Sequence, residues 1–151
     1  MMDWFNTGLS RDLNYSYCYP QMLANNRFDN PTVQAGVLRR GLENGKRWLT
    51  ILNDHFLAHD QAFLLGREIS LADYLGASYL SVCEAVELDL SPWPRVEAWM
   101  ERMRSRPSWL EVFPAFYGLV AAIREIRRAE VWTPLGRATF TAAPRPATRC
   151  A

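Results

Sequence analysis

Trp4, Thr7, Arg11 and Tyr15 fall at i, i+3, i+7 and i+11, so one face of a helix can present all four. The aromatic rings offer an apolar surface to a hydrophobic molecule. The Arg11 guanidinium can steady a carboxylate or a negative charge that develops during reaction. A half-exposed amphipathic face would show the same spacing. Other candidates carry less. His55 and His59, beside Asp54 and Asp60, could share a helix face and bind a metal. No third ligand stands at helical spacing with them, and imidazoles at a helix end commonly sit in solvent near the negative dipole, so no metal site is assigned. Ser10, Ser78 and Ser81 lack a nucleophile-elbow context and a paired His and Asp. Cys18 reads as a small buried hydrophobe. No residue is assigned a catalytic role.

A second constellation is structural. Phe63-Leu64-Leu65-Gly66 runs into Ile69-Ser70-Leu71-Ala72-Asp73-Tyr74, which joins a turn to a helix start. Ser70 and Asp73 have capping-box spacing. The serine hydroxyl can accept the N–H of residue 73, and the Asp73 carboxylate can reach back to the N–H of Ser70. Ile69 and Tyr74 flank the box where a hydrophobic staple forms. Asp73 is therefore expected to hold the fold rather than do chemistry, and its charge also meets the positive end of the helix dipole.

The elements that must position these residues are helical, because strand signals are almost absent and 3.6-residue periodicity recurs. A first segment spans about Asp3 to Tyr19 and is expected to stop at Pro20. Asn30-Pro31 starts a second, striped by Val33, Val37, Leu38, Leu42, Trp48, Leu49, Leu52 and Phe56. Gly41 and Gly45 lie four apart in it, which implies close approach of the first helix or of a second subunit. The third runs from Ser70 to about Glu87 and is apolar on almost every side, as at the centre of a bundle. The fourth opens at Pro92-Trp93-Pro94, carries Val96, Trp99, Met100 and Met103, and ends before Pro107. The fifth follows Pro114, with Phe116, Leu119, Val120, Ile123 and Ile126 on one face. The predicted architecture is an all-α five-helix bundle over 1–132, followed by a disordered tail at 133–151 rich in Pro, Thr, Ala and Arg.

Composition excludes several classes of function. A chain of 151 residues suits one domain, and a net charge of +1 gives little global pull on nucleic acid. No apolar run reaches the ~18 residues that span a bilayer. Met1-Met2-Asp3-Trp4 has no basic n-region and no h-region, so no secretion signal is read there. Cys18, Cys83 and Cys150 are scattered and odd in number, without CxxC or metal spacing, which suits a reducing cytoplasm.

Three blocks, in order, resemble the C-terminal helical domain of cytosolic glutathione transferases. Phe63-Leu64-Leu65-Gly66 with Ile69-Ser70-Leu71-Ala72-Asp73 is similar to that family's FLxG…ISxAD signature. Trp93-Pro94-Arg95-Val96-Glu97-Ala98-Trp99 is similar to the start of its next helix. Arg102-Met103-Arg104-Ser105-Arg106-Pro107-Ser108 is similar to that helix's end. Trp4 through Arg11 resembles theta-like members more loosely. The resemblance implies a cleft lined by the first helix, with Trp4, Thr7, Arg11 and Tyr15 as substrate-binding residues; Tyr117 and Phe116 could close it from the other side, with core packing as their preferred alternative. A histidine of some members falls here on Leu13, so no role is carried over from it.

The resemblance also implies a thioredoxin-like βαβ domain that binds glutathione and activates its thiol. No such pattern is found in these residues. The chain alone is expected to bind no cofactor, with glutathione a co-substrate where that domain is supplied. The reaction implied is conjugation of glutathione to a small hydrophobic electrophile, a detoxifying transfer. The partner is the thioredoxin-like domain or a second copy in a homodimer, with no nucleic acid or membrane. Domains of this fold also serve as non-enzymatic assembly modules, the alternative reading, and a stand-alone carrier of hydrophobic ligands is a third.

Overall fold

Asn30 and Pro31 begin the longest helix. Asn30 Oδ1 accepts the Thr32 and Val33 N–H groups at 2.9 and 3.3 Å, and Pro31 takes the position where its missing N–H costs nothing. The computed structural model describes residues 1–58 and 61–129. The expected tail at 133–151, together with His59, Asp60, Trp132 and Cys150, lies outside the described residues.

Among the described residues, six helices make up the bundle. Helix α1 (residues 2–22) joins an α-turn Met2–Trp4, a π-helical run Phe5–Cys18 and a closing turn Tyr19–Met22. Helix α2 (residues 31–56) is α-helical over Pro31–Ile51 and ends in a π turn, Leu52–Phe56. Helix α3 (residues 71–86) is Leu71–Val82 followed by a 3₁₀ turn, Cys83–Val86. Helices α4 (Pro94–Arg104), α5 (Pro107–Val112) and α6 (Pro114–Ala129) complete it. Among the described residues there is no strand, only an isolated bridge between Phe63 and Gly66 that closes a tight turn. Gly66 sits at φ +129°, where a side chain is strained. No described helix is long and apolar enough to cross a membrane.

Glycines bring α1 and α2 into close contact. A Cβ on Gly41 would stand 2.8 Å from the Asp12 carbonyl oxygen, and one on Gly45 would stand 2.6 Å from the end of Leu13. Of the two expectations for these glycines, close packing on the first helix holds. The core between the helices is built from Phe5, Leu9, Leu13, Leu49, Leu52, Leu80, Val96, Trp99, Met100 and Met103, all fully buried. At roughly 1.5–3 kcal/mol per large apolar side chain, this core is the main stabilising term.

The structure corrects four details. Pro20 does not stop the first helix, which runs on to Met22 before Leu23 turns extended. A π turn leads directly into it, with Tyr19 N–H bonded to the Asn14 carbonyl, so the ladder is already out of α-register where the proline N–H is missing. Pro107 ends α4 as expected but also opens α5, because a proline is as suited to the first position of a helix as it is unsuited to the interior. Within the Leu71–Val82 part of α3 the buried residues are its small ones, Ala72, Gly76, Ala77 and Ser81, with Asp73 and Leu80, while Leu71 is exposed. Gly76 lets the Phe5 ring lie against the α3 backbone. On α6, Val120 and Ile123 pack against the end of α3 with Ala85, whereas Leu119 and Ile126 point outward.

Candidate functional site

The expected quartet divides. Trp4 is half-buried and packed edge-on against Phe5, Trp48 and Phe56, with ring centroids at 5.0, 5.4 and 5.0 Å. Thr7, Arg11 and Tyr15 remain exposed. The π run explains the division. Thr7, Arg11 and Tyr15 recur every four residues, a spacing between the 3.6-residue α turn and the wider π turn, so they stay in line. Trp4, three residues before Thr7, is thrown off that line and into the α1–α2 aromatic cluster.

Arg11 is held rather than free. Its Nε and Nη2 donate to Asp12 Oδ1 and Oδ2 at 3.3 and 3.0 Å, and Trp48 Nε1 donates to the same Oδ2 at 2.8 Å. Burial alone would raise the Asp12 carboxyl. The bonds from Arg11 and Trp48, Arg11's charge and a bond from Asn44 outweigh it and hold Asp12 below the usual carboxylate range. The same pair raises Arg11 further, chiefly through the Asp12 hydrogen bond. The result is a permanent cation, aimed by a buried carboxylate that Trp48 of the second helix anchors. Thr7 donates to the Asp3 carbonyl at 2.9 Å, and Tyr15 stacks edge-on with Tyr19 at 5.0 Å. Tyr79 of α3 reaches this side of α1, its hydroxyl donating to Asn6 Oδ1 at 2.5 Å.

Asp12, Asn6, Tyr19 and Tyr79 were missed by spacing alone. Neighbours at i and i+1 do not face each other on an α-helix, so the Arg11–Asp12 pair has no periodic signature. Tyr79 meets Asn6 across 73 residues of chain. Trp48 opposite Gly8 was the one available signal, a large ring facing a residue with no side chain.

Tyr117 lies elsewhere. Trp109 Nε1 donates to its hydroxyl at 3.0 Å, Trp109 stacks on Phe113 at 3.6 Å, and Phe113 and Phe116 flank Tyr117 at 6.1 and 5.9 Å. These partners belong to α5, α6 and the residue between them, so Tyr117 sits in the packing of the last two described helices. His55 is exposed beside the Phe56 ring, and among the described residues no cluster of three or more His, Cys, Asp or Glu could hold a metal.

The capping box forms, and Asp73 proves to be a hub. Oδ2 accepts the Ser70 N–H at 2.9 Å and the Ser70 hydroxyl at 2.6 Å. Oδ1 accepts the Leu64 N–H and the Trp99 Nε1–H, both at 2.9 Å. The Asp73 N–H in turn lies 3.1 Å from the Ser70 carbonyl oxygen. One fully buried carboxylate thus joins the Phe63–Gly66 turn, the start of α3 and the middle of α4. Ile69 and Tyr74 are half-buried against the main core, and the Tyr74 hydroxyl bonds Ser108 at 3.2 Å.

The described residues form a helical bundle whose third helix starts at a Ser-x-x-Asp box, its carboxylate buried and tied to a tryptophan of the next helix. The family model described as glutathione S-transferase, C-terminal domain, matches residues 32–107, half of the chain, and spans both the capping box and the Trp93–Pro107 block. The chain belongs to this family. No curated protein and no solved structure matches it. Membership assigns the fold, and function has to be argued from the site.

Proposed function

We propose that this chain is the hydrophobic-substrate side of a glutathione transferase-like protein. A thioredoxin-like domain, on the same or another polypeptide, binds glutathione and supplies its thiolate. The exposed line of Thr7, Arg11 and Tyr15 receives the electrophile. The thiolate attacks an electron-poor carbon, and negative charge builds on the electrophile as the new C–S bond forms. Arg11 stabilises that charge, and Tyr15 with Tyr19 supplies apolar contact. The observation that carries this reading is the Arg11–Asp12–Trp48 chain, which fixes a cation on an otherwise exposed face. An exposed arginine without such a support would lose its orientation to solvent. On this reading the protein works in the cytoplasm, with the thioredoxin-like domain or a second copy as its partner.

The test is a conjugation assay with an aryl halide and glutathione. The chain alone should add nothing to the uncatalysed rate. The chain co-purified with a thioredoxin-like domain should accelerate it, and Arg11→Ala should reduce that acceleration. Tight glutathione binding and turnover by the chain alone would overturn the division of roles. The non-enzymatic scaffold reading has one observation in its favour, the exposed apolar Leu119 and Ile126 on α6. Co-purification without a stable protein partner would count against it.

A further inference from the structure

Cys18 and Cys83 are 65 residues apart in sequence, yet their Sγ atoms lie 3.6 Å from each other. Both thiols are free and buried. We propose that they form a peroxide-sensitive dithiol, in which a small hydroperoxide oxidises Cys83 and Cys18 then closes a disulfide that ties α1 to α3. The inference stands apart from the conjugation reading and needs no electrophile.

Reach is the first argument. A disulfide needs the sulfurs at about 2.05 Å, so the two have about 1.5 Å to close. Both cysteines sit where a helix changes register. Cys18 is the last residue of the π run in α1, and Cys83 is the first residue of the 3₁₀ turn that ends α3. Behind that turn Glu87 adopts φ 56°, the only described non-glycine residue at positive φ. Such junctions have poorer hydrogen-bond geometry than an α-helix interior and yield more readily.

Access is the second. Buried cysteines are ordinarily inert. Cys83, however, forms part of the wall of an open cavity of about 230 Å³, between Leu80, Glu84, Leu88, Glu97 and Arg104. Hydrogen peroxide is only slightly larger than water, which occupies about 30 Å³ in the liquid. Cys18 is not part of that wall. This fixes the order of events, with Cys83 reacting first and Cys18 resolving. Burial, with the Cys83 thiol beside it, pushes the Cys18 thiol well up, which keeps it protonated until a neighbouring sulfur becomes electrophilic.

The chemistry balances. The Cys83 sulfur attacks one peroxide oxygen, the O–O bond breaks, and Cys83 sulfenic acid and one water form. The Cys18 sulfur then attacks the Cys83 sulfur and the S–O bond breaks. The departing hydroxide takes the Cys18 proton and leaves as a second water. Two thiols are oxidised by two electrons in all, and one peroxide is reduced.

The test uses the full, reduced chain treated with hydrogen peroxide, quenched with catalase and alkylated in denaturant. The expected product has lost two hydrogens and gives a dithiothreitol-sensitive peptide pair linking Cys18 to Cys83. The loop it closes should raise Tm by roughly 10 °C. Cys18→Ser should abolish the link and leave a sulfenic acid on Cys83 that dimedone traps. Full alkylation of both cysteines after peroxide, or links running only through Cys150, would overturn the proposal. The wild-type peptide map decides this without relying on any variant to fold.

Discussion

Replacing Asp73 with alanine removes the acceptor for four donors at once. Two of them, the Leu64 N–H and the Trp99 indole N–H, belong to buried residues and cannot turn to water. Leaving a buried donor unpaired costs about 1–3 kcal/mol, so this pair alone accounts for about 2–6 kcal/mol. Loss of the bond to the Ser70 N–H adds about 1 kcal/mol at the helix start. The sum, about 3–7 kcal/mol, is a large part of the 5–15 kcal/mol typical of a whole domain. Asp73→Asn keeps one carbonyl oxygen for Leu64 and Trp99 and should cost less, about 1–3 kcal/mol. Urea unfolding followed by circular dichroism measures both. Trp99→Phe removes the indole donor, so Asp73→Ala made in that background should cost about 1–3 kcal/mol less than in the wild type. A cost under 1 kcal/mol for Asp73→Ala, or strictly additive costs in the double variant, would refute the hub.

Three glycines of α2 should separate by what a methyl group would meet. Gly36→Ala, with nothing within 4 Å, should stabilise by up to about 1 kcal/mol. Gly41→Ala, which meets Asp12 and Ser16 backbone, should destabilise, and Gly45→Ala, which meets the movable end of Leu13, should do so less; thermal melts give the order. Asp12→Asn should cost about 1–2 kcal/mol at neutral pH. Because Asp12 is held below its unfolded value, its contribution is whole above about pH 4 and is lost as pH falls through the folded value, so wild-type and variant stabilities should converge in acid. Trp4→Ala should lower stability by about 2–3 kcal/mol, whereas Arg11→Ala, which takes the ion-pair partner from Asp12, should lower the melting temperature only slightly and weaken binding of an aryl electrophile, measured by calorimetry.

The bundle was largely legible because its signals are local. Asn30-Pro31, Ser70-x-x-Asp73 and Pro94 each declare a helix start within four residues, and apolar periodicity gives the rest. Pro107 misled by half, since one residue can end a helix and begin the next. Leu119 and Ile126 share their 3.6-residue phase closely enough with Val120 and Ile123 to read as one face, and only the tertiary contact with Ala85 shows where burial stops. Trp4 was misplaced because its spacing to Thr7 presumes α pitch, and nothing in composition reports a π run. Asp12 and Tyr79 were invisible for another reason. Their partners are a neighbour that should not face them and a residue 73 positions away. Asp73 was read as structural from two bonds, and the Trp99 and Leu64 contacts that enlarge its role depend on tertiary packing.

The central functional claim is that the Thr7–Arg11–Tyr15 line of α1 receives the apolar electrophile. It is tested most directly by titrating isotopically labelled chain with the glutathione conjugate of an aryl halide and following backbone amide shifts by NMR. The account predicts saturable shifts concentrated at Asn6, Thr7, Arg11, Tyr15 and Tyr79, weakened by Arg11→Ala. Saturable shifts centred instead on the Leu80–Arg104 cavity or on α6, with α1 silent, would contradict it.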